Sequence, residues 1–555
     1  MLMSLSAIDP SAVEFGQSLP PHGPHTITTH MPRWETAERF RNRDLSLLGQ
    51  LKSIWPRFAP FGLSATLCQS IARKLPLPEG YGCVAFVSRD AWASNQTHAL
   101  SPFRKDLRLD ASELRYHVVD VAGVRLYVVG FPRAKAPAAT FQWQHGGLGF
   151  SSRLAEALLP HVGASLVHAG EFSGGLGAPE PTFLPEGNAH RVIKERIASL
   201  AMRACASKHE KDVCAGDVFL YQTGMAVITR LHEAISALRA GPTVVFGAVF
   251  HSTYHLFEEA DGGIRHYGRA DESDVDDFEK YLEDGGDCAF VFTEFPSNPI
   301  LVSVDLMRLR RLADRYGFFL VADDTCASFA NVDLLAAADV VVSSLTKAFS
   351  GYADVMAGSL VLNPNSAPHA YTALKQAVSS RFRNELFAAD AAHLVSNHAD
   401  YFARCVVHNR NAAALAEYFH ALAMDPASPV AHVWYPPYSP GSGHLGTFLR
   451  KPTADYEAPG FGCLLSVEFE TVAQAAAFYD ALNFFQGPHL GAHLTLCMPY
   501  NFMVYGAEDP DVHASYGLKP QQIRISVGLE DHQVLLQRCS EAVSKMEKTV
   551  QNLVQ

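Results

Sequence analysis

The chain has 555 residues, 48% of them hydrophobic, with a formal charge of −12 and a mean hydropathy of +0.02. That is long for one domain and sufficient for two or three with large buried cores. The acidic balance, spread without long like-charge blocks, argues against a nucleic-acid or anionic-membrane surface, which needs a basic patch. No run of about 18 apolar residues could span a bilayer, and the first thirty residues lack the basic and apolar regions of a secretory signal. Arginine first appears at Arg33, which does not suit an Arg-rich transit peptide, so a cytoplasmic enzyme is the expectation. The ten cysteines are scattered without CxxC or zinc-finger spacing, which predicts reduced, mostly buried thiols and no metal site.

Up to about residue 165 the pattern is mixed. A Pro-rich start (Leu19-Pro20-Pro21, Pro24) leads to helix-like stretches and then to a strand-like segment over 118–131, bent at Gly123. The Gly/Pro-rich break at 170–187 is a candidate linker or flexible active-site loop. From about residue 190, apolar strands (217–222, 243–250, 288–295, 317–324, 339–345) alternate with helices (226–240, 304–317 and a short one at 334–339). That alternation predicts a mostly parallel sheet covered on both faces, an α/β architecture. After about residue 400, a long helix, strands at 463–470 and 522–528 and a helix at 471–483 predict a smaller α/β domain closing on the first. No solenoid-type repeat is present.

Chemistry-bearing residues fall at the carboxyl ends of these strands, where open α/β sheets bind ligands. Lys347 follows an apolar strand, with Ser344 and Thr346 beside it and Ser350-Gly351 after it. Alone, such a lysine reads as a solvated strand end. Its companions change that. Twenty-four residues earlier GFFLVADDTC ends in Asp323 and Asp324, of which alternation favours Asp323 as the inward one, although a strand-end Asp is often a helix cap. In YQTGMAVITRL a strand ends at Gln222, Thr223-Gly224 make a turn and a helix starts near Met225, which forms an anion site. A lysine for a Schiff base, an acid for a pyridine nitrogen and donors for a phosphate are what pyridoxal 5′-phosphate (PLP) requires.

Together these residues resemble the Cys/Met-metabolism PLP enzymes of fold type I, the cystathionine γ-synthase family. The match runs through Tyr221–Met225, Glu294-Phe295-Pro296-Ser297-Asn298-Pro299, Asp323-Asp324-Thr325, Ser344-Leu345-Thr346-Lys347 with Asp354–Gly358, and Arg524–Asp531. PRWETAERF, WPRF and FQWQHGGLGFSSRLAEALL resemble the extension of fungal cystathionine γ-synthases, so the likeness covers nearly the whole chain. It implies an N-terminal extension (1–170), a large PLP-binding domain (171–404) and a small C-terminal domain (405–555). It also implies roles. Lys347 holds PLP and shuttles protons, Asp323 pairs with the pyridine nitrogen and Asn298 bonds the ring hydroxyl. Gly224, Met225, Ser344 and Thr346 hold the phosphate, and Arg524 clamps the substrate carboxylate, for which a guanidinium suits better than lysine.

Three departures stand out. The family's ring-stacking tyrosine is Phe250 here, which has no hydroxyl to move a proton. Its Ser-Leu-Gly turn is His489-Leu490-Gly491; the histidine either joins the substrate site or turns outward on a shifted loop. The Tyr-x-Arg pair that a neighbouring subunit offers to the phosphate is not recognisable, and the GGLGAPEP loop occupies roughly that place. The default expectation is γ-replacement on an O-acylated homoserine, with cysteine giving cystathionine. The alternatives are γ-substitution with a carbon or nitrogen nucleophile in specialised metabolism, γ-elimination, or a non-catalytic relative, against which the intact Lys347/Asp323/Arg524 set stands. Small amino acids are the expected partners, and the resemblance implies a homo-oligomer, a dimer of dimers.

Overall fold

The protein is described from a computed structural model, which covers residues 9–19, 23–52, 59–172, 177–505 and 510–554. Pro20-Pro21 of the Pro-rich start, the WPRF segment (55–58) and residues 173–176 of the Gly/Pro-rich break lie outside the described residues.

Three sheets organise the chain. The first is antiparallel: β1 (Tyr81–Phe86), β2 (Arg115–Val121), β3 (Val124–Pro132) and β4 (Val167–Glu171), in the order β1-β3-β2-β4. The segment expected as one bent strand over 118–131 is a hairpin instead. Ala122 and Gly123 both take positive φ, 50° and 82°, which makes the two-residue turn that joins β2 to β3.

The second sheet holds seven strands: β5 (Val218–Tyr221), β6 (Thr243–Phe246), β7 (Ile264–Tyr267), β8 (Phe290–Glu294), β9 (Phe319–Asp323), β10 (Val340–Ser343) and β11 (Gly358–Leu362). Their order is β5-β11-β10-β9-β8-β6-β7, and only β11 runs against its neighbours. Except for the edge strand β7, where Arg265 is exposed, the strands are largely apolar because both faces are buried. Phe290, Val321 and Val342 enter one core, shared with Trp92, Val118 and the rest of the first sheet. Val291, Leu320 and Val341 enter the other, shared with the C-terminal domain. The short helix expected at 334–339 is a single 3-10 turn, Leu334–Ala336.

The third sheet has the order β12-β13-β16-β15-β14, from β12 (Val430–Trp434), β13 (Leu464–Phe469), β14 (Phe485–Gln486), β15 (Leu496–Met498) and β16 (Gln522–Ser526). Helices Tyr401–Ala423, Val472–Ala481 and His532–Val554 are associated with this domain, and the first runs through positions 404 and 405. The described N-terminal residues are split in space. Residues 31–34 attach to the third sheet's domain, with Met31 N–H donating to Gln486 O at 2.7 Å and the Trp34 ring 4.4 Å from Phe502. Among the described residues no helix is long and apolar enough to cross a membrane.

Candidate active site

The carboxyl ends of β5, β8, β9 and β10 converge on one cavity of about 80 Å³. Nine of the ten residues singled out in the sequence line it: Gly224, Met225, Phe250, Asn298, Asp323, Ser344, Thr346, Lys347 and Arg524. The tenth, His489, is buried at its edge with Nδ1 3.4 Å from Lys347 Nζ, so it faces inward. Ten residues spread over some 300 positions meet because parallel strands deliver their ends to one edge.

Lys347 lies four residues past the end of β10, in a turn held by its N–H to Ser344 O at 3.1 Å. A chain of short contacts ties that turn to the acidic strand. Thr325 N–H donates to Asp323 Oδ1 at 2.8 Å, and Ser344 N–H donates to Thr325 Oγ1 at 2.8 Å. Asp323 lines the cavity, whereas Asp324 does not. Thr346 is arranged differently from the expectation of a phosphate donor: its hydroxyl donates to Ala357 O at 3.1 Å and accepts from Ala357 N–H. That proton is committed, which leaves Ser344 as the hydroxyl of this turn that can donate.

Helix Gly224–Ser236 starts at the cavity with its N-terminal peptide groups towards Ser344. A Cβ added at Gly224 would lie 2.8 Å from Ser344 Cβ, so the Gly224 backbone sits directly against the Ser344 side chain. The start of this helix is buttressed by the N-terminal region, a contact the sequence did not disclose. Thr223 Oγ1 donates to Gly147 O and Thr229 Oγ1 to Gly146 O, both at 2.9 Å. The FQWQHGGLGF segment therefore supports the start of this helix.

Phe250 is not at a strand end, because β6 stops at Phe246; it caps helix His251–Glu258. Its N–H donates to Glu294 Oε1 at 2.6 Å, and Asn298 N–H donates to Glu294 Oε2 at 3.2 Å. Glu294 stood in the matched motif but was given no role by the sequence. It ends β8 directly beside Asp323 of β9, and a carboxylate closing an apolar strand was its visible signal. Burial pushes both carboxyls above their ordinary range, and the charge of Asp323 raises Glu294 further, whereas the bonds from Thr325 oppose the shift at Asp323. Arg524, on β16, donates to Asn298 Oδ1 at 3.1 Å and to Pro488 O at 2.7 Å. The described part of the 170–187 break packs on the first sheet instead of the site: Tyr127 Oη donates to Pro179 O at 2.7 Å, and Arg125 to Glu180 O at 2.7 Å.

Residues 207–544 match the family model of Cys/Met-metabolism PLP-dependent enzymes. The chain belongs to that family. Among curated relatives it is 38% identical over 439 residues to alanine racemase ungC of Aspergillus violaceofuscus, covering 75% of this chain and 73% of that protein. It is 29% identical to the cystathionine gamma-synthase-like enzyme iboG2 of Amanita muscaria, over 96% of both chains. It is 35% identical to cystathionine gamma-synthase of Neurospora crassa, over 65% of this chain and 56% of that one. Among solved structures, cystathionine gamma synthase from Xanthomonas oryzae in complex with cystathionine superposes with a TM-score of 0.53 at 26% identity, over 65% of this chain and 87% of that chain. The fold is therefore fold type I and the cofactor is PLP. The residues present fit this cofactor: a buried amine, a buried carboxyl, a helix start pressed against a serine, and a buried guanidinium surround one cavity.

Proposed function

We propose that this Cys/Met-metabolism enzyme catalyses γ-replacement on an O-acylated homoserine, in the manner of a cystathionine γ-synthase. The observation that carries the reading is the meeting of Lys347, Asp323, the start of helix Gly224–Ser236 and Arg524 in one cavity. Bound PLP supplies the electron sink that lets protons leave Cα and then Cβ, so that a γ-acyloxy group can depart. Lys347 holds the cofactor and moves those protons. Asp323 keeps the pyridine nitrogen protonated, and Asn298 bonds the ring hydroxyl. Gly224, Met225 and Ser344 receive the phosphate on peptide N–H groups and a hydroxyl, with Thr346 shaping the turn. Arg524 binds the substrate carboxylate. His489 faces the Lys347 amine as a neutral acceptor. A homo-oligomer in the cytoplasm completes this reading.

A second reading, a specialised outcome, is favoured by Phe250 and His489. They stand where the family has a tyrosine and a serine, and the relatives include proteins named for other reactions. In that reading the same protons are moved at Cα and Cβ, but the enzyme uses a carbon or nitrogen nucleophile, eliminates, or exchanges the Cα proton. One experiment separates these. Purified enzyme is given O-acetyl- or O-succinyl-homoserine with and without cysteine, and products are followed by mass spectrometry. L-Alanine in deuterated water, with chiral analysis, runs in parallel. Cystathionine formed at a good rate supports the first reading; deuterium exchange and D-alanine without γ-replacement would reject it.

A further inference from the structure

The tyrosine hydroxyl that position 250 lacks has a counterpart elsewhere in the fold. Tyr500 begins the short helix Tyr500–Val504, just after β15, and is buried. Its ring lies 4.4 Å from the guanidinium carbon of Arg524, the cation proposed for the substrate carboxylate. Its hydroxyl is enclosed and has no hydrogen-bond partner among the described residues. The Asn298 side chain, which lines the PLP cavity, and the His251 peptide group are near enough to act on that hydroxyl. Tyr500 also lines a larger cleft of about 1180 Å³ that shares Phe250 and Pro488 with that cavity. It thus lines a cleft that adjoins the PLP cavity.

We propose that Tyr500 is a substrate-binding residue, its hydroxyl donating a hydrogen bond to the α-carboxylate of the amino acid beside Arg524. An enclosed O–H without an acceptor is costly in the free protein. Placed beside a guanidinium, it completes a two-donor anion site, with Arg524 supplied by β16 and Tyr500 by the helix after β15. Burial holds the phenol up at about 12 even against Arg524, so it remains a donor at working pH. The inference rests on the PLP reading above but is indifferent to the nucleophile, since every amino-acid substrate carries the carboxylate.

The test uses Tyr500→Phe in the PLP-loaded enzyme, with L-alanine as the probe and the change in the cofactor's visible spectrum as the readout. Loss of one hydrogen bond to a charged group should raise the L-alanine Kd by roughly 10–100-fold. Ethylamine, which lacks the carboxylate, should bind wild type and variant alike. The cofactor-free variant should melt at the wild-type temperature or above it, because an unpaired buried hydroxyl has been removed. An unchanged Kd for L-alanine, equal weakening of ethylamine, loss of the cofactor band or a markedly lower melting temperature would each overturn the proposal. A wild type whose spectrum responds to no amino acid would instead sink the PLP reading on which it rests.

Discussion

Lys347 and His489 are both buried and stand 3.4 Å apart, so they share whatever protons the site holds. Burial, then the charges of Lys347 and Arg524, holds the imidazole well below the ordinary histidine range. It is therefore neutral at working pH and accepts from the lysine amine. His489→Ser should keep the cofactor's absorbance but lower turnover by about 10²-fold, the usual contribution of a positioned proton carrier; unchanged turnover would make it a packing residue. Lys347→Ala should abolish the lysine-bound cofactor band altogether, and a wild type without such a band would contradict the PLP assignment. Phe250→Tyr restores a phenol at the cavity wall and should raise γ-replacement turnover. Steady-state rates with O-acetylhomoserine and cysteine check this, and no change would remove the missing hydroxyl as a cause of altered chemistry.

At the scale of elements, the helix Gly224–Ser236 depends on a turn more than 70 residues away. Gly147 takes φ of +66°, and a Cβ there would lie 2.4 Å from Thr223 Oγ1 and 2.6 Å from Met225 Cβ. Gly147→Ala should therefore displace the start of the helix and weaken reconstitution with PLP, measured by titrating the cofactor-free protein, while leaving the Lys347 and Asp323 turns intact. A second joint is the acidic end of β9, where Asp323 and Asp324 are both buried. Asp324, buried at the end of β9, is pushed up to about 7, chiefly by desolvation. The native state then keeps a proton that the unfolded chain loses near pH 4, so this stability is full below that and disappears as pH rises through about 7. Asp324→Asn should consequently gain melting temperature relative to wild type between about pH 5 and pH 8; a constant difference would show that Asp324 does not titrate there.

Over the whole molecule, the N-terminal residues join two domains: Ile27 N–H donates to Ala353 O at 2.9 Å and Met31 N–H to Gln486 O at 2.7 Å. Trp34 packs against Phe502 and Tyr479, and its N–H donates to Asp480 Oδ1 at 2.7 Å. Truncating it, Trp34→Ala, should cost about 3–5 kcal/mol in denaturant unfolding. Acid sensitivity is also global. Burial first of all lowers His30 and His98 to about 4 and His408 to about 3. An unfolded chain takes up protons near pH 6.5 that these native imidazoles refuse, so the stability they give above that pH is lost as pH falls towards 4. Melting temperatures measured from pH 7 down to pH 4 should show this fall.

The residues of the chain settled five strands of the second sheet between 217 and 345 and the PLP family, and pointed to most residues that line the candidate cavity; they did not disclose β7 or the helices His251–Glu258 and Glu272–Glu283. The strands and site residues were legible because parallel strands buried on both faces read as apolar runs, and because their ends carry the chemistry. Local patterning could not give β11, β14 or β15. The first is an apolar stretch among others, and the last two are two or three residues long and exist only through pairing with neighbours. Nor could it give Thr346's bond to Ala357, the dock of Gly147 under the start of helix Gly224–Ser236, or Tyr500 beside Arg524. Those contacts join positions 11 to 76 residues apart through shapes fixed only when the domains close. Motif spacing points to the residues proposed to serve the cofactor; tertiary packing decides which of their protons are already committed.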